Sequence, residues 1–338
     1  ALSFKIFGEN EFSSRLFAAL CAWGCIFLVY RMGSYLHDEK TGLYSAGVLS
    51  TFVYSSILGR INILDIPLTF FVSLATWAGY RYFMEDGQKK GWLYLLYIGS
   101  GLAFLTKGLI GIVFPFAITS LWLLISKRWR DVLKFFSPAG MILLLLISCP
   151  WIILVQKANP DFLCFFFIQE HFLRYTTEVS HRSHGVLTYI PVLIVGASPW
   201  SAFLLKAWGG IKKRASLFKG SEKSFFLVWA FFIFLFFSIS RSKLIPYVAP
   251  VFIPAAVVLG HLFRSYEDSN GSLEEWKGRS IHYQLPILLQ SFAFIAVILS
   301  PLFVKNGQLD RYLREFRVGN WRPLILLIVL FQVLMIFL

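Results

Sequence analysis

Apolar runs of roughly 15 to 20 residues, separated by short charged turns, recur from end to end of this chain, and few folds accept that pattern. A helix needs about 20 apolar residues to cross the hydrocarbon core of a bilayer. Strands of a membrane barrel would instead alternate apolar and polar positions over about 10 residues. The continuous runs therefore predict an all-α fold, a polytopic transmembrane helical bundle. Composition agrees: only 15% of the 338 residues are charged, against about 25% in soluble domains.

About eleven crossings can be drawn, forming a single transmembrane domain over 1–338. They run over 12–30, 42–58, 63–80, then 92–125 as two short helices divided at Thr106-Lys107-Gly108, then 135–156, 186–205, 224–239, 244–263, 285–304 and 323–338. Between the sixth and seventh of these spans lies 157–187, an interfacial loop rich in aromatics and histidine. Ala1 is not a start methionine, and the final apolar run continues to Leu338 without a flanking charge. The chain thus reads as an internal piece of a longer protein.

The net charge of +14 comes from Lys and Arg spread over many short loops. A nucleic-acid surface would gather them into one patch with exposed aromatics, so no nucleic-acid partner is expected. Alternation of the spans puts 18 of the 32 basic residues on one face, which the positive-inside rule makes cytoplasmic. The opposite face would then be the outer one. Cys21, Cys25, Cys149 and Cys164 show neither metal-ligand spacing nor a disulfide framework.

The outer face carries charges close to membrane depth, where an ionisable group must be paired or face water. Asp65, in GRINILDIP, fits a functional carboxylate, an ion pair with Arg60 or a helix cap. Lys107 sits where two apolar segments meet, and either snorkels or meets an anion. Arg241 and Lys243, followed by Tyr247 in SRSKLIPY, add cations suited to phosphate oxygens. Within the loop, a helix over 162–175 would set Glu170 and Arg174 one turn apart. His171, His181 and His184 are zinc-capable, but no complete ligand set is apparent. No phosphate-binding glycine loop occurs, and no close acidic pair that would hold a divalent metal against a nucleotide sugar.

The segments FGENEFSSRLFAAL, GRINILDIPLTFF, LAFLTKGLIG, NPDF with FFIQEHFLRY, GVLTYIPVLIVGASPW and SRSKLIPYVAP occur in that order. Together they resemble the bacterial polyprenyl-phosphate-dependent membrane glycosyltransferases, in particular the lipid A aminoarabinose transferase type, related to the protein O-mannosyltransferases of the GT-C fold. The resemblance spans residues 1 to about 260. It implies a bacterial inner-membrane enzyme that takes a sugar from undecaprenyl phosphate on the periplasmic side and passes it to a lipid or glycan acceptor among the membrane lipids. It also implies a catalytic role for Asp65, donor-phosphate contacts from Lys107, Arg174 and Tyr247, and zinc at His171. The family's first span and first outer loop would precede Ala1, so this piece alone is expected to be inactive. A transporter or flippase of a lipid-linked anion is the alternative, although no inverted repeat is visible.

Overall fold

The computed structural model describes residues 2–59, 61–173, 186–201, 203 and 221–268, and every regular element among them is helical. After a short α1 (Leu2–Phe7), the Asn10 side chain accepts from the Ser13 backbone N–H while the Ser13 hydroxyl accepts from Asn10 N–H. That reciprocal cap starts α2 (Glu11–Leu36). Asp38 caps α3 (Glu39–Thr51), which is followed by the one-and-a-half-turn α4 (Val53–Leu58). Next come α5 (Asp65–Met84), α6 (Lys90–Lys107), α7 (Ile110–Ile125) and α8 (Pro138–Ala158). The remaining helices are α9 (Tyr189–Gly196), α10 (Ser221–Ile239) and α11 (Phe252–Asp268). Among the described residues, α2, α8 and the stretch Ile245–Ser265 are long and apolar enough to cross a membrane, and the apolar α7 and Ser224–Ile239 are shorter.

The expected divisions hold where a backbone constraint enforces them. The long run splits at Gly108, whose φ of 78° and ψ of −147° are strained for any residue with a Cβ. The expected single span 42–58 is broken instead at Phe52, and Val53 N–H turns to the Ser198 carbonyl at 3.0 Å. The expected span 244–263 begins as a 3₁₀ helix, Ile245–Val251, because Pro246 and Pro250 remove two backbone donors. The loop helix is a π-helix over Cys164–Leu173. The spans at 285–304 and 323–338 lie outside the described residues, as do His181 and His184.

In lipid, helices gain little from hydrophobic exclusion, so close packing holds them together. A Cβ on Gly260 of α11 would stand 2.6 Å from Ser45 N of α3, and one on Gly33 of α2 would stand 2.9 Å from Gly42 Cα. Only small residues let these three helices meet. The centre is aromatic instead: Tyr80, Trp122, Phe225 and Trp229 are fully buried, with Tyr80 and Phe225 centroids 4.5 Å apart.

The charged groups collect at two ends. At one end Arg264 meets Asp38 at 2.6 Å, Arg81 meets Glu85 at 2.6 Å, and Arg128 bridges Asp131 and Asp86 at 2.6 and 3.3 Å. Arg81 also lies over the Tyr35 and Trp92 rings at 3.9 and 4.6 Å. These contacts join the turns that loop charge assigned to one face. The Thr41 backbone N–H, with Arg264, holds the Asp38 carboxyl well below the ordinary range. Stability from that shift is present above the unfolded pKa of about 4 and is lost as pH falls through the lower folded value.

The glycine at 108 offers a test. Gly108→Ala should lower stability by about 1–3 kcal/mol, because a Cβ strains that conformation. Thermal unfolding in detergent measures it, and an unchanged midpoint would contradict the turn geometry.

Candidate functional site

Helices α5 and α6 run antiparallel, so the start of one lies beside the end of the other. Asp65 is the first residue of α5 and Lys107 the last of α6. Each sits where its helix dipole favours it, the anion at an N-terminus and the cation at a C-terminus. Their side chains then meet directly, with Lys107 Nζ 2.5 Å from Asp65 Oδ1. Asp65 is 8% exposed, so its carboxylate is removed from solvent and depends on that partner.

A third element completes the arrangement. Lys107 Nζ stands 4.6 Å from the centroid of Tyr247, in the 3₁₀ helix that opens the Ile245–Ser265 stretch. The ring is fixed in turn by Phe237 of α10, 5.2 Å away. An aromatic face attracts a cation without neutralising it, whereas a carboxylate neutralises it in part. Asp65 and Tyr247 thus hold Lys107 by interactions of different character. Tyr54 and Tyr189 also lie within electrostatic reach of Asp65.

Two walls flank this triad. Phe104, one turn before Lys107, meets Phe166 edge-on at 5.9 Å, and Phe162 and Phe166 stack at 5.2 Å. Trp151 of α8 closes on both rings, at 5.4 and 6.1 Å. The π-helical segment is thus anchored beside the site by its aromatic residues. On the other side, Ile66 and Thr69 of α5, with Tyr54, Phe252 and Ile253, line a mostly apolar cavity of about 260 Å³.

The remaining expected residues separate. Lys243 is buried and its ammonium donates to the Ser240 carbonyl, so it braces its own turn. Arg241 is exposed. Glu170 is half-buried within the π-helix, and the pair expected with Arg174 lies outside the described residues. Arg60, Arg174 and the His171 side chain lie outside the described residues. Asp65 finds Lys107, 42 residues on, as its partner. No group of three His, Cys, Asp or Glu able to hold a metal occurs among the described residues, which therefore do not fit a zinc site by themselves. Sequence reasoning missed Tyr54 and Tyr189; the available signal was a hydroxyl in an apolar segment, which needs a partner when buried.

Known proteins share this arrangement of helices. ArnT from Cupriavidus metallidurans, solved bound to undecaprenyl phosphate, superposes with a TM-score of 0.80 at 25% identity, covering 99% of this chain and 58% of that one. Its apo form gives a TM-score of 0.72. An undecaprenyl phosphate-α-4-amino-4-deoxy-L-arabinose arabinosyl transferase of Proteus mirabilis is 32% identical over 269 residues, which are 78% of this chain and 47% of that protein. The chain is similar to the aminoarabinose transferases over about half of their length. One from Pseudomonas aeruginosa is 31% identical, again over 77% of this chain and 47% of its own length. The dolichyl-phosphate-mannose-protein mannosyltransferase family model matches residues 1–154. The chain spans about half the length of the curated relatives it matches, and the kinship agrees with its multi-pass, membrane-embedded fold.

The ion pair makes a stability prediction independent of activity. Lys107→Met should cost about 3–5 kcal/mol by stranding a buried carboxylate. Adding Asp65→Asn should recover a large part of that loss. Unfolding of both single variants and the double variant measures the coupling; strictly additive losses would contradict a direct pair.

Proposed function

We propose that this chain forms the donor-binding part of a membrane glycosyltransferase. The reaction moves a sugar, 4-amino-4-deoxy-L-arabinose, from undecaprenyl phosphate to lipid A or another envelope acceptor. The observation that carries the reading is the Asp65–Lys107–Tyr247 triad at one end of the bundle. Its support is the likeness to a transferase structure containing undecaprenyl phosphate. We place the protein in the bacterial inner membrane with the triad facing the periplasm. The greater basic charge of the opposite loops supports that orientation.

In this reading the sugar is transferred by direct displacement at its anomeric carbon, with inversion. The carbon–oxygen bond to the donor phosphate breaks as the acceptor oxygen attacks from the opposite face. The leaving group becomes a phosphate monoester and gains charge during the step. Lys107, with Arg174 and Arg241 as further cations, stabilises that charge more in the transition state than in the ground state. Asp65 holds Lys107 in place and orients the sugar or the acceptor. An acceptor phosphate is already ionised and needs no strong base, whereas a hydroxyl acceptor requires a carboxylate to take its proton. Glu170 supports the wall of the site. His171 would contribute to a zinc site only with ligands from elsewhere.

Mass analysis of lipid A and envelope glycans, from cells with and without the full-length protein, tests the reading. A single added aminopentose that disappears with the gene supports it, and unchanged glycans overturn it. In the full-length protein, Asp65→Asn and Lys107→Ala should each reduce transfer per folded molecule by well over about tenfold. Near-normal turnover in both would remove these roles. Movement of labelled lipid phosphate across liposomes without sugar transfer would favour a flippase.

A further inference from the structure

The Tyr247 ring is not held by its own helix alone. Directly before it, Leu244 is extended, with φ −131° and ψ 142°, and Ile245-Pro246 leads into the 3₁₀ turn. The Leu244 carbonyl accepts from the Tyr247 N–H at 3.1 Å, whereas the Leu244 N–H precedes the turn and needs a partner from elsewhere. Two tyrosines from distant parts of the chain bond this stretch. The Tyr189 hydroxyl donates to the Leu244 carbonyl and accepts from the Leu244 N–H, both at 3.2 Å. The Tyr54 hydroxyl donates to the Ile245 carbonyl at 2.7 Å. Both tyrosines are buried, at 0% and 6% exposure. Tyr54 also stacks on Phe252, at 4.2 Å and 20° between planes, so one residue grips the segment before and after Tyr247.

We propose that Tyr54 and Tyr189 are positioning residues of the transfer reaction, clamping Leu244 and Ile245 so that the Tyr247 ring stays against Lys107. The proposal rests on the glycosyltransferase reading above. Three hydrogen bonds fix the backbone within three residues of the ring, and the ring lies against the ammonium that Asp65 also holds. A shift of the segment by about 1 Å would move the cation relative to the leaving phosphate, and displacements of that size reduce rates strongly. Phenylalanine at either position fills the same space but cannot hold the backbone.

The test uses the full-length protein in lipid nanodiscs, with undecaprenyl phosphate-aminoarabinose as donor and lipid A as acceptor. Tyr54→Phe and Tyr189→Phe should each lower kcat by about tenfold while the donor KM stays within about twofold. Hydrogen exchange at the Leu244 amide should quicken in Tyr189→Phe. Faster exchange with an unchanged kcat would reduce the tyrosines to a structural role and overturn the proposal. Unchanged exchange in Tyr189→Phe would overturn the clamp itself, even if the wild type proved to transfer no sugar, an outcome that separately refutes the parent reading. Should Tyr189→Phe fail to accumulate, Tyr54→Phe carries the kinetic test, since it removes one hydrogen bond and retains the stacked ring. In that case an unchanged kcat overturns the proposal.

Discussion

An aspartate at the beginning of one helix and a lysine at the end of its neighbour hold the organisation of this protein at one end of the bundle. Ionised groups near the hydrocarbon must be paired or reach water, because burying one alone is costly. Asp65 and Lys107 meet that demand by pairing with each other at 2.5 Å. Antiparallel helices make the pairing natural, since the favourable end for an acid in α5 lies beside the favourable end for a base in α6. Gly108 fixes where α6 stops and so where the ammonium stands.

The surrounding packing keeps that pair precise. Small residues bring α2, α3 and α11 into backbone contact, and the aromatic centre locks α5, α7 and α10 together. Tyr247 and Phe104 link the pair outward, one to the clamped segment before α11 and the other to the π-helical wall. The opposite end is tied by several ion pairs, whereas the Asp65–Lys107 pair meets aromatic walls.

Much of this was legible in the sequence because it is local. Continuous apolar runs announce membrane helices, and Thr106-Lys107-Gly108 announces a turn within a run too long for one crossing. Asp65, Lys107 and Tyr247 stood out as polar or aromatic groups at the ends of spans on one face. What the sequence could not supply was pairing. Arg60, the nearer candidate in sequence, lies outside the described residues, while Asp65 meets Lys107 on the next helix because antiparallel packing brings distant helix ends together. The roles of Tyr54 and Tyr189 were hidden for the same reason: their hydroxyls bond backbone atoms 191 and 55 residues away. The π-helix also escaped, since it has the composition of an ordinary amphipathic helix. Lys243 looked like a phosphate ligand by charge alone, and only the fold shows its ammonium turned onto the Ser240 carbonyl.

The central claim is that a lysine fixed by a carboxylate and an aromatic ring receives the phosphate of a lipid-borne donor. A structure of the full-length protein with undecaprenyl phosphate tests it most directly. The account expects a phosphate oxygen within about 3 Å of Lys107 Nζ, the length of a charge-assisted hydrogen bond, with the Tyr247 ring still against the ammonium. Phosphate bound away from Lys107, with the Asp65–Lys107 pair sealed off from it, would contradict the account.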